Sequence, residues 1–149
     1  MNIHPELEAM AQRVVEARHW PRFIMAAYDG FELATRTSRA LVDTCPLEDH
    51  VRLAEAERAA TDGRDILRAA PGRMNANGRL GPLIALPADD VEKAEASLAG
   101  LADALHDRFT VAMDEPLGAD ELVSFSEALD AADRLQRALA REVDDGDLP

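Results

Sequence analysis

The sequence predicts an all-α protein: an antiparallel helical bundle of four long helices plus one, with one long irregular loop at about residues 71–86. Three observations lead there. Apolar residues recur at steps of three and four along most of the 149-residue chain, which stacks them on one side of a helix. Ala and Leu lead the apolar set while aromatics are only 4%, and Ala and Leu are strong helix formers whereas strands favour β-branched and aromatic side chains. The breaks between periodic segments are mostly short, which makes helices that follow one another antiparallel neighbours. The length fits one domain, residues 1–149, large enough to enclose a core.

The first helix is expected from Pro5 to about His19, with Pro5 in the first turn and Glu6 and Glu8 complementing the helix dipole. Leu7, Met10, Ala11, Val14 and Val15 form its buried side. His19-Trp20-Pro21 is the corner into a second helix, whose stripe is Phe23, Ile24, Ala27, Tyr28, Phe31, Ala34 and Leu41. Gly30 lies mid-helix at a cost of up to ~1 kcal/mol relative to Ala, which a close helix crossing or a local kink explains. Thr44-Cys45-Pro46 ends the segment.

A third helix opens with Pro46 in its first turn and a thin apolar side: Leu47, Val51, Ala54, then Ala60, Ile66, Leu67 and Ala70. Thr61-Asp62-Gly63 leaves open whether it is one helix or two, because Asp and Gly favour turns. So Ala-rich a run packs only where a neighbouring backbone comes close. Pro71 to Leu86 lacks helical period; Arg73 to Arg79 is expected to be mobile, and the apolar second half to lie against the bundle.

The clearest stripe lies between Pro87 and Met113: Val91, Ala94, Leu98, Leu101, Ala102, Leu105, Phe109 and Ala112. Asp89, Asp90 and Glu92 meet the positive end of its dipole, and Pro116 stops it. After Glu115-Pro116-Leu117-Gly118, the last helix is expected from Ala119 to about Val143, with Leu122, Phe125, Leu129, Ala132, Leu139 and Val143 facing inward. An acidic tail from about residue 144 should fray.

Charge bounds the function. The net charge is −13 and unevenly placed: residues 1–75 carry 10 basic and 12 acidic side chains, residues 76–149 carry 6 and 17. Direct nucleic-acid binding needs clustered cations and is disfavoured, as is an anionic membrane surface. A basic protein partner suits the charge, although charge also serves plain solubility. The lone cysteine, Cys45, excludes an internal disulfide and a multi-thiolate zinc site. No apolar run approaches the ~18 residues of a membrane span, and Met1 to Glu8 lacks the order of a signal peptide. A cytoplasmic location is the expectation.

The chemistry-bearing patterns are few. Glu16-Ala17-Arg18-His19 is a Glu-x-x-His and Asp103-Ala104-Leu105-His106 a shortened one, the units that di-iron bundles point inward. Glu16 and Asp103 each stand two residues past an apolar stripe position, about 200° round the helix, so both carboxylates face water and no metal site is expected. The Arg13 and His19 spacing resembles that of some helical ribonucleases of bacterial conflict systems, which would make these two residues catalytic. A solvated Arg and a His bonding helix-terminal carbonyls account for them equally. No nucleophile elbow, phosphate-cradling loop or His-Glu-x-x-His is present, so no catalytic residue and no cofactor is assigned.

The leading reading is a non-enzymatic acidic protein that binds another protein, basic or nucleic-acid-binding, as inhibitor, immunity or anti-restriction proteins do. Its candidate partner-binding residues are Asp114, Glu115, Asp120 and Glu121 around one turn, with Arg73 and Arg79 in the long loop. The alternative is a sensor or enzyme with a small-molecule pocket lined by Trp20, Tyr28 and Phe109. A third is a homo-oligomeric module, recognisable by an exposed apolar patch around Leu135 and Leu139.

Overall fold

A computed structural model describes residues 3–18, 20–69, 86 and 88–140 of the protein. Five helices account for nearly all of them: α1 (Ile3–Glu16), α2 (Trp20–Thr44), α3 (His50–Arg68), α4 (Val91–Met113) and α5 (Ala119–Leu139). Single 3-10 turns, Leu47–Asp49 and Ala88–Asp90, lead into α3 and α4. No strand occurs among the described residues. The all-α bundle of four long helices plus a shorter one is the fold.

The long helices close a ring in the order α2, α3, α5, α4, each antiparallel to both neighbours. Arg39–Glu57 at 2.9 Å and Arg64–Glu32 at 2.8 Å run α2 against α3. Arg134–Asp62 at 3.0 Å and the Arg52 guanidinium on the Ala138 carbonyl run α3 against α5. Gln136 donating to Asp103 at 2.8 Å runs α5 against α4. Phe23 against Phe109 and Gly30 beside Leu101 and Leu105 close α4 onto α2. Helix α1 packs on both α2 and α4, antiparallel to the first and parallel to the second. His4 near its start hydrogen-bonds Ser97 through Nδ1, and Arg108 late in α4 donates to the Ala17 carbonyl at 2.8 Å.

The stripe of α4 is buried from Ala94 to Ala112, with Leu98, Leu101, Leu105 and Phe109 fully enclosed. All four phenylalanines of the chain meet in one cluster. Phe109 lies 4.8 Å from Phe23, 5.8 Å from Phe125 and 6.2 Å from Phe31 between ring centroids, spacings at which each pair contributes ~0.5–1.5 kcal/mol beyond its buried area. An Ala-rich chain thus concentrates its bulk where α2, α4 and α5 converge.

Two of the three glycines inside helices, Gly30 and Gly63, admit a neighbour. A Cβ on Gly30 would sit 3.3 Å from Leu105 and 3.4 Å from Val14, so α1, α2 and α4 cross closely there. A Cβ on Gly63 would sit 2.5 Å from the Phe31 ring. Gly63 therefore does not divide the third helix; α3 is continuous from His50 to Arg68.

Some boundaries and faces differ from expectation. Helix α1 ends at Glu16 and α5 at Leu139, both shorter than their patterns allowed. The sequence pattern places Val15, Leu47, Val51 and Leu122 on buried faces, yet they are 50%, 81%, 78% and 44% exposed, and Ala54 is exposed with them. Val15, Leu47 and Leu122 lie at or just before helix ends, whereas Val51 and Ala54 lie off the buried side of α3, which runs through Leu53, Ala56, Ala60 and Leu67. Leu135 and Leu139 are buried, and the large apolar side chains that α5 leaves exposed are Leu122 and Val123 near its start. Leu86 is buried, while the rest of the 71–85 stretch and the tail from 141 lie outside the described residues.

Candidate functional site

Two features share one end of the bundle, the end where α1, α3 and α4 finish and α2 and α5 begin. The first is the α4–α5 turn. Asp114, Glu115 and Asp120 are exposed and Glu121 is half-buried. Asp114 and Glu115 open the five-residue connection 114–118, and Asp120 and Glu121 lie in the first turn of α5 that follows it. Glu121 accepts a hydrogen bond from the Gly118 N–H at 3.4 Å, holding the first turn of α5. None of the four forms an ion pair among the described residues.

Position sharpens the contrast within this group. Asp120 and Glu121 stand at the start of α5, where the dipole favours anions. Asp114 and Glu115 stand at the end of α4, where it opposes them, and the last turn of α4 contains no basic residue. On the adjoining turns Val111, Leu122 and Val123 remain 49%, 44% and 58% exposed.

The second feature is a groove of about 840 Å3 between α1 and α2, lined by Ala9, Gln12, Arg13, Glu16, Ala17, Arg18, Arg22, Met25 and Ala26. At its inner end Arg13 pairs at 2.8 Å with Asp29, whose side chain is only 5% exposed. Gln12 donates to Glu16 at 2.7 Å. Nearby, Arg108 of α4 places its guanidinium 5.2 Å from the Phe23 centroid and donates to the carbonyl of Ala17, a lining residue. A shallower α3–α5 groove of about 630 Å3 holds Asp62, Asp65 and Asp130. Arg134 reaches Asp62 at 3.0 Å and Asp130 at 3.3 Å, so its acid is already largely paired.

The other sequence candidates fall as follows. Arg73 and Arg79 lie outside the described residues, as do His19 and the Trp20 side chain. Phe109 is enclosed by phenylalanine rings, and the Tyr28 hydroxyl accepts from Arg68 at 3.0 Å. Arg13 is occupied by Asp29. Glu16 and Asp103 both point to solvent, and no group of three or more metal-ligating side chains converges among the described residues.

One constellation escaped the sequence reading. His4 touches Ser97 through Nδ1 and faces Glu8 at 3.2 Å through Nε2, a hydroxyl–imidazole–carboxylate line. Ser97 sits inside α4, where neighbouring backbone N–H groups bond within the helix, so they are not free to stabilise an oxyanion. The line ties α1 to α4. Also missed were Asp29, Arg18, Arg22 and Arg108 as one group, because only the fold shows which arginines lack acidic partners.

No helix among the described residues is long and apolar enough to cross a membrane. Comparison of the chain with models of protein families, with curated proteins and with solved structures returns no match.

Proposed function

We propose that this is a non-enzymatic, acidic helical protein that docks onto a protein carrying a basic surface, in the manner of small bacterial inhibitor, immunity or anti-restriction proteins. The α4–α5 end is its docking face. One observation carries the reading: Asp114, Glu115, Asp120 and Glu121 gather there without a cationic partner among the described residues, beside exposed Val111, Leu122 and Val123. Apolar contact at the centre and charge at the rim is the usual anatomy of a protein interface. The carboxylates would steer a basic partner and fix its register, with the attraction screened beyond ~8 Å at physiological salt. A cytoplasmic setting belongs to this reading, in keeping with the free, half-buried Cys45.

The test uses an arginine-rich peptide and two variants with the same change in charge. One variant combines Asp114→Asn, Glu115→Gln, Asp120→Asn and Glu121→Gln. The other combines Glu6→Gln, Asp43→Asn, Glu48→Gln and Glu92→Gln, exposed carboxylates at the opposite end of the bundle. The first is expected to weaken binding by about tenfold or more and to flatten its salt dependence, the second to change both little. Equal weakening by the two variants would show that only net charge matters and remove the docking face.

A further inference from the structure

The groove between α1 and α2 carries a charge pattern that docking at the α4–α5 turn does not use. In a chain of net charge −13, almost every described arginine is committed to a carboxylate. The exceptions among the described residues are Arg18, Arg22 and Arg108, and all three lie at the α1–α2 corner. Arg108 is spent on the Ala17 carbonyl and the Phe23 face, with its Nε buried and unpartnered. Arg18 and Arg22 are exposed and line the groove. Deeper in, Asp29 neutralises Arg13; on the α1 side Glu16 accepts from Gln12, and Ala17, Met25 and Ala26 supply the apolar part of the lining.

We infer that this groove binds a small amphipathic anion, a carboxylate or phosphate head on an aliphatic body. The head lies between Arg18 and Arg22, whose planar guanidinium groups suit either oxyanion. The body lies along Ala17, Met25 and Ala26, and the groove's volume of about 840 Å3 is that of a site for a small ligand. The charge of the whole molecule selects the ligand's size. A field this acidic repels a polyanion such as nucleic acid along its length, whereas a single head within ~8 Å of two arginines feels mainly those arginines.

The full chain is titrated by calorimetry with decanoate, decyl phosphate, decanol and acetate, each below its aggregation threshold. Decanoate or decyl phosphate is expected to saturate one site, and which of them binds tighter identifies the head. Decanol, which lacks the charge, and acetate, which lacks the body, should each bind at least about tenfold more weakly. Arg18→Gln with Arg22→Gln should weaken the anion at least tenfold. Arg39→Gln with Arg58→Gln, exposed arginines on α2 and α3, should leave it unchanged, with the helical circular dichroism of both variants intact. Decanol binding as tightly as decanoate, equal binding by both variant pairs, saturation by a single-stranded oligonucleotide instead, or no saturable anion binding up to about 1 mM would each overturn the inference.

Discussion

Replacing Gly63 with Ala tests the close approach of α3 to α2 at the Phe31 ring. The added Cβ would lie 2.5, 2.6 and 2.7 Å from three carbons of the Phe31 ring. Non-bonded carbons rest at ~3.5–4.0 Å, so the ring must retreat by about 1 Å. It has little room: Phe31 is fully buried and stacked on Phe109. Overpacking of this kind costs ~1–3 kcal/mol. Against it stands the helix preference for Ala over Gly, at most ~1 kcal/mol. The net is a loss of about 1–2 kcal/mol, read as a fall of roughly 0.5–1 M in the urea midpoint followed at the helical dichroism band. Gly100→Ala is the control, because a Cβ there meets nothing within 4 Å; it should stabilise by ~0.5–1 kcal/mol. Adding Phe31→Leu to Gly63→Ala should cost less than the sum of the single changes, since the two side chains compete for one space. A Gly63→Ala midpoint raised as far as that of Gly100→Ala would refute the packing argument.

Three further outcomes follow from the same geometry. Leu101→Ala removes a fully buried side chain from the contact with Gly30, and should cost ~2–5 kcal/mol in the same denaturation. Asp114→Asn with Glu115→Gln relieves charge held against the C-terminal end of the α4 dipole; it should raise stability by ~0.3–1 kcal/mol while weakening partner binding, the trade expected of a functional surface. Glu32 is the pH-sensitive group. Burial works against its charge, but hydrogen bonds and attraction from Arg64 and Arg36 outweigh that and hold its carboxyl below the ordinary 4.5. A lowered folded-state value adds stability above about pH 4.5 that is lost as pH falls through it. Glu32→Gln should therefore be less stable than wild type at neutral pH, with the gap closing in acid; a gap independent of pH would contradict this.

How far the sequence reached depended on what kind of fact was asked of it. Periodicity fixed the buried sides of α2 and α4, since Leu98, Leu101, Leu105 and Phe109 can share a face in only one way. The same direction argument placed Glu16 and Asp103 in solvent, where they lie. It failed at helix ends and along α3. Leu122 continues its stripe in sequence yet stays open in the first turn of α5, and in α3 the few large apolar residues Leu47 and Val51 pointed to the wrong side, away from buried Leu53 and Ala56. Gly63 read as a breaker because the ring that needs its space lies 32 residues away at Phe31. The parallel seating of α1 on α4 was hidden for a related reason, as connection length speaks only for consecutive helices. For the site, the acid around the α4–α5 turn was visible because its members are close in sequence. The arginine corner was not: nothing local distinguishes Arg18 and Arg22 from the arginines that α2 and α3 pair with carboxylates.

The account rests on docking of a partner protein at the α4–α5 end, and affinity capture from the native host addresses it directly. Wild type and the two four-charge variants serve as baits, with retained proteins identified by mass spectrometry. A protein held by wild type and by the opposite-end variant, released by salt and missing from the α4–α5 variant, is the expected result. The same proteins on all three baits would contradict it.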